Sequence, residues 1–137
     1  TWQQLHVQAE YYWAELNGGA DPNFQGFYVE VGYFLRGGRC NYNRDKKVLD
    51  RPHIEDKFRA GGGGYGAWQV AIRFDSLDLS DSGVAGGLQQ GITLGVNWYW
   101  NPNMRVMFNI IWMDISEGGP FGEGDLTVFG TRFQVDF

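Results

Sequence analysis

The chain has 137 residues and a net charge of −5. That acidic balance gives no encouragement to nucleic-acid binding, and no run approaches the ~18 to 20 consecutive apolar residues of a transmembrane helix. The single cysteine, Cys40, can form no internal disulfide and stands in no metal-ligand spacing. Aromatic residues make up 17% of the chain, with six Trp, seven Tyr and ten Phe, and Gly contributes 21 residues. Yet the mean hydropathy is negative. A soluble core does not need so many aromatics. A membrane β-barrel does, because only one face of each strand meets lipid.

Two-residue alternation runs through six stretches. The first puts Leu5, Val7, Ala9, Tyr11 and Trp13 on one face, against His6, Gln8, Glu10 and Tyr12. The second opposes Phe27, Val29, Val31, Tyr33 and Leu35 to Tyr28, Glu30, Gly32, Phe34 and Arg36. In the third, Trp68, Val70, Ile72 and Phe74 face away from Gln69, Ala71, Arg73 and Asp75. The fourth sets Ile92, Leu94, Val96, Trp98 and Trp100 against Gly91, Thr93, Gly95, Asn97 and Tyr99. The fifth has Val106, Phe108, Ile110 and Trp112 on its apolar side, blurred by Ile111 and Met113 on the other. The last alternates Phe129, Thr131, Phe133, Val135 and Phe137 with Gly130, Arg132, Gln134 and Asp136.

Each stretch is about ten residues, which is what a tilted strand needs to cross a bilayer. A soluble sheet would alternate as well. Two features favour the membrane. Trp13, Tyr33, Trp68, Trp98, Trp100 and Trp112 fall mostly at strand ends on the apolar face, as interfacial girdles require. No apolar face carries a charge in its centre, where Lys or Arg would cost roughly 2 to 4 kcal/mol. The predicted fold is therefore all-β, an antiparallel transmembrane barrel. The rival from another class is a soluble β-sandwich that binds carbohydrate, with the aromatics as core and sugar platform.

Asn101-Pro102-Asn103 reads as a tight turn and Gly118-Gly119-Pro120 as another, while 17–23 and 80–87 read as polar loops. The connection 37–65 is long and basic, and ends in the run Gly61 to Gly64. That run lacks the Lys-Ser or Lys-Thr of a P-loop and reads as a bend into the next strand. Six strands are fewer than the about eight of the smallest single-chain barrels, and open edges in lipid are costly. Residues 1–137 are thus expected to be one portion of a single barrel domain in a longer chain, a partial piece, or a unit needing a partner sheet. The chain opens without Met or a charged-then-apolar leader, so any secretory signal is expected to have been removed or left out.

The stretch Gly66-Ala67-Trp68-Gln69-Val70-Ala71-Ile72-Arg73-Phe74, followed by Asp78-Leu79, resembles the phosphate-selective porin O and P family. So do Thr93 through Asn103, with Arg105-Val106-Met107-Phe108-Asn109 after them, and Gly32-Tyr33-Phe34-Leu35-Arg36-Gly37 with Arg39 and Tyr42. Phe133, Val135 and Phe137 are similar to the terminal signal that barrel-assembly machinery reads. The resemblance implies a trimeric porin of about 16 strands in the bacterial outer membrane. These would be its last six strands, and it would pass phosphate or polyphosphate. It also implies that the long connection lies on the periplasmic side and folds inward to narrow the pore, with 80–87 and 117–124 outside.

Sign selection in a wide pore needs fixed charge along the path, and Arg suits phosphate through its planar fork. The candidates for pore lining and anion contact are Arg36, Arg39, Lys46, Lys47, Lys57, Arg73, Arg105 and Arg132. Glu10, Glu30, Asp75 and Asp136 face the same way, so the strand arginines are expected first to pair with them and keep the wall solvated. A general or weakly selective porin is the alternative within the class. The expected partners are small anionic solutes, outer-membrane lipid, the assembly machinery and two further copies of the full-length chain. No cofactor, metal site or enzymatic constellation is expected, since His6 and His53 lack companions and no catalytic triad or carboxylate pair stands out.

Overall fold

A computed structural model describes residues 2–17, 21–116 and 122–137. All regular structure among these residues is β. The strands are β1 (Leu5–Glu15), β2 (Asn23–Arg36), β3 (Gly38–Asn43), β4 (Val48–Ile54), β5 (Ala67–Asp81), β6 (Val84–Asn101), β7 (Met104–Ser116) and β8 (Gly124–Val135). Six of them form one antiparallel sheet in the order β1-β2-β5-β6-β7-β8, and β3 and β4 form a separate hairpin. The sheet is open: β1 and β8 each have a free edge among the described residues.

The register makes the six alternating stretches into two continuous faces. Val7 lies opposite Val31, Val31 opposite Ile72, Ile72 opposite Leu94, Leu94 opposite Ile110, and Ile110 opposite Phe129. This apolar row crosses all six strands of the sheet, and no described residue covers it. Val7 is 57% exposed, Ile72 49% and Phe129 78%. A sandwich would bury such a face under a second sheet. Among the described residues no second layer packs on it. The small buried core lies on the opposite side, where the hairpin meets the sheet: Phe34, Ile54, Ala67 and Tyr99.

Three connections depart from the sequence reading. Residues 80–87 are not a loop. The strands β5 and β6 continue through them and turn on Ser82-Gly83, both with positive φ (46° and 89°), the two-residue geometry that suits strand twist. β6 has 18 residues, roughly 60 Å at about 3.4 Å per residue, so this ribbon runs past the paired part of β7, which ends at Ser116 opposite Leu88. A side-chain clamp holds it beside the turn: the backbone N–H of Asn23 donates to Asp81 Oδ2 at 2.7 Å. The loop expected at 17–23 lies partly outside the described residues, and β2 already begins at Asn23. The Gly118-Gly119-Pro120 turn lies outside the described residues altogether.

The long connection is the third departure. Half of it is the hairpin β3–β4, whose Pro52 and many charges hide it from pattern reading. It lies at the sheet end that also carries the Asn101-Pro102-Asn103 turn. There it folds back onto the polar face: Cys40 N–H donates to Gln3 O at 2.7 Å, and Ile54 packs with Phe34, Ala67 and Tyr99. The blur in the fifth stretch is real. Ile111 and Met113 stand on the polar face opposite Val128 and Leu126, giving that corner an apolar inner surface.

Candidate functional site

The site is the polar face of the sheet together with the hairpin beneath it. The strand pleat sends His6, Glu30, Gln69, Asn97, Tyr99, Arg105 and Gln134 to this side, along a line that runs diagonally across the register toward the hairpin end. They form a hydrogen-bonded belt across all six strands. His6 Nε2 meets Glu30 Oε1 at 3.2 Å, and His6 Nδ1 meets Gln69 Nε2 at 3.4 Å. Carboxylate on one side and amide N–H on the other assign the imidazole proton to Nε2. Gln69 Oε1 then accepts from Asn97 Nδ2 at 2.8 Å and from the Tyr99 hydroxyl at 3.2 Å. Arg105 Nη1 donates to the same hydroxyl at 3.0 Å, while its Nε and Nη2 hold Gln134 Oε1 at 3.2 and 2.9 Å. Gln134 Nε2 ends the run on the Asp136 carboxylate at 2.9 Å.

Gly32 makes this belt possible. A Cβ there would stand 2.0 Å from His6 Cε1, so the imidazole occupies the space that any other residue would fill. His6 and Gln69 are the buried polar residues of the wall, 6% and 5% exposed. Cys40 Sγ approaches His6 Nδ1 at 3.9 Å from the hairpin side, which seats the hairpin on the belt. Burial pushes the Cys40 thiol above its ordinary range, which makes it a poor nucleophile.

A second cluster lies farther along the wall. The Arg73 guanidinium sits 3.8 Å above the Tyr28 ring centre, with Nε 3.7 Å from Asp75 Oδ1. Gln8 donates to the Tyr28 hydroxyl at 2.7 Å, and the Tyr12 hydroxyl donates to Glu10. Gln89 reaches Asp75 Oδ2 at 3.3 Å. Between hairpin and wall is a cavity of about 480 Å³. Its charged lining is Arg51, Arg73 and Arg105 with Glu30, Asp50 and Asp136. The Asp50 carboxyl is held below its usual range, first by the Arg51 backbone N–H and then by the Asn43 amide, so it remains an anion in the cavity.

The eight candidate cations are scattered by the fold. Arg73 and Arg105 line the cavity, each fixed against a tyrosine. Arg132 lies opposite Met107 on β8, exposed, with no ion pair or hydrogen bond among the described residues. A β-bulge between Phe34 and Arg36 breaks the alternation there, so Arg36 stands opposite Trp68 instead of continuing the polar row. It pairs with Asp56 at 3.6 Å and covers the Tyr65 ring at 4.6 Å. Arg39 pairs with Glu55 at 3.7 Å on the hairpin. Lys46 and Lys47 sit in the exposed tip between β3 and β4, and Lys57 follows the hairpin, also exposed. Arg51 of the cavity was not among the candidates. Neither was the belt, because Gln, Asn and Tyr carry no motif and the partners of His6 lie 24 to 63 residues away.

The interfacial aromatics divide between the two ends of the sheet. Tyr33, Trp68, Trp98 and Trp100 are at the hairpin end, where Trp68 and Trp98 stack at 5.2 Å. Trp13 and Trp112 are toward the other end, both exposed. Phe133 joins the first group, 5.6 Å from Trp100, and Val135 and Phe137 continue its row with Phe137 fully exposed.

A single antiparallel sheet, bare and apolar outside, polar and cross-linked inside, with aromatics at both margins, is the wall of a transmembrane β-barrel. The chain belongs to the phosphate-selective porin O and P family, which it matches over residues 1–137. It is 38% identical to an uncharacterized protein of Caulobacter vibrioides over 96% of this chain and 27% of that relative. It is 30% identical to Porin O of Pseudomonas aeruginosa over 73% of this chain and 24% of that protein. The chain thus spans about a quarter of the length of these relatives. No solved structure matches it.

Proposed function

We propose that residues 1–137 form one portion of a single porin barrel in the bacterial outer membrane, a passive diffusion channel for small anions with phosphate or polyphosphate favoured. The observation that carries this is the pair of faces: an uncovered apolar row across six strands backs directly onto a hydrogen-bonded polar wall. Lipid on one side and water on the other satisfy both. The family's description and the relative named Porin O support the channel reading. On this reading the hairpin end is periplasmic, the Ser82-Gly83 ribbon is external, and missing strands close a barrel of about 16. The full-length protein is a trimer, and Phe133, Val135 and Phe137 serve as its assembly signal.

The anion preference rests on Arg73, Arg105 and Arg132. The first two are held rigidly, so they present fixed charge without first having to be ordered. Arg132 is free to follow a passing anion. A weakly selective channel is the second reading, favoured by the cavity, where Glu30, Asp50 and Asp136 stand beside the arginines. The full-length protein in a planar bilayer, under about a tenfold salt gradient, separates the two through its reversal potential. An anion-sign potential that falls toward zero in R73Q/R105Q/R132Q is the expected result. A potential near zero in the unmodified protein establishes the weakly selective channel instead.

A further inference from the structure

The segment after the hairpin does not stay on the polar side. Phe58 N–H donates to Trp100 O at 2.8 Å, and its ring lies 5.0 Å from Trp98 and 5.6 Å from Trp100. Both Trp residues belong to the apolar face, so Phe58 is pinned to the outside of the wall. The segment closes on itself where Arg59 N–H meets Gly64 O at 3.2 Å, and it is tied back where Trp98 Nε1 donates to Tyr65 O at 2.9 Å. Its tip, Gly61 to Gly63, has open space around it.

Lys57 and Arg59 flank Phe58, exposed, with no ion pair among the described residues. The nearby carboxylate, Asp56, is already taken by Arg36 and by the Tyr65 N–H. Beside them Trp100 Nε1 is shut off from solvent with no acceptor among the described residues. Two unneutralised cations on an aromatic shelf at the edge of an acyl-chain surface match one kind of molecule. It must carry a phosphate-level negative charge, ester oxygens just below it, and hydrocarbon below those.

We propose that residues 57–65, with Trp98 and Trp100, form a binding site for an anionic phospholipid headgroup at the hairpin end of the barrel. Lys57 and Arg59 hold the phosphate. Phe58, Trp98 and Trp100 flank the glycerol and the upper acyl chain. The inference rests on the outer-membrane reading above, which puts this end at the phospholipid leaflet.

The test uses the full-length protein in nanodiscs of phosphatidylethanolamine and phosphatidylglycerol, with retained lipid counted by native mass spectrometry. Each surface cation contributes about fivefold to such binding. K57Q/R59Q should therefore lower retained phosphatidylglycerol by about thirtyfold, while R44Q at the hairpin tip leaves it unchanged. Wild-type retention in K57Q/R59Q, in a protein that still inserts and conducts, overturns the lipid site alone. Equal retention of phosphatidylethanolamine and phosphatidylglycerol overturns it too, as does loss of the oligomer in K57Q/R59Q, which makes the patch a contact between copies. Failure of the unmodified protein to conduct at all removes the channel reading and the lipid site together.

Discussion

Replacing Leu94 with arginine in the full-length protein is expected to abolish stable assembly in lipid. Leu94 stands at the middle of β6, between Ile72 and Ile110, and points away from the hairpin. A guanidinium at that depth on a lipid-facing surface costs roughly 2 to 4 kcal/mol, equivalent to a factor of about 30 to 1,000 in the folding equilibrium. The matching change on the other face is Asn109→Arg. Asn109 lies between Gly95 and Gly130 on the polar wall, where there is room for a long side chain and water to solvate it. Heat-modifiable migration and urea unfolding in liposomes would compare the two. The expected pattern is a lost folded band for L94R and a near-normal one for N109R. Equal tolerance at both positions would mean that the apolar row does not meet lipid, and the two-faced wall would have no physical basis.

The second large effect is expected at Gly32. Its Cβ would fall 2.0 Å from His6 Cε1 and 2.7 Å from each ring nitrogen. Even alanine therefore expels the imidazole. Expulsion breaks the contacts to Glu30 and Gln69 and removes the seat of Cys40. Buried groups left without partners cost about 1 to 3 kcal/mol each, so G32A should destabilise the wall by roughly 2 to 4 kcal/mol. Truncating the histidine instead removes the clash along with the contacts. H6A/G32A should then be no less stable than H6A alone, a strong coupling between sites. Denaturant midpoints for the four proteins would show it. If G32A matches the parent, the imidazole does not depend on the space above Gly32, and the belt is not the element that fixes this level of the wall.

Much of the sheet was legible because the pleat writes itself into the sequence. Val29, Val31 and Tyr33 against Tyr28, Glu30 and Gly32 is a pattern that only a half-apolar strand produces. Its reach ended where the backbone leaves strict alternation. The bulge after Phe34 turns Arg36 away from the polar row, and nothing in Phe34-Leu35-Arg36 announces it. The ribbon at 80–87 was misread because Ser80, Asp81, Ser82 and Gly83 are turn formers by composition. Only Ser82 and Gly83 actually turn, and strand pairing overrides the local preference of the rest. The hairpin β3–β4 was hidden for a related reason. It buries one narrow edge through Cys40 and Ile54 and exposes the remainder, so it has no two-sided period to detect. The belt was out of reach altogether, since its geometry depends on register between strands and no window along the chain contains it.

The long ribbon of β5 and β6 has a practical consequence. Its turn is two residues wide, a Cβ added at Gly83 would meet nothing within 4 Å, and the last pair before it, Asp81 with Val84, is tied to the sheet through Asn23. Loop closure costs grow only logarithmically with length. A peptide tag, a fluorophore-bearing cysteine or an affinity handle spliced between Ser82 and Gly83 would therefore leave the wall undisturbed. On the proposed topology, which puts this turn outside, it would be a landing point for antibodies and other large surface ligands, and a handle for following the protein on intact cells.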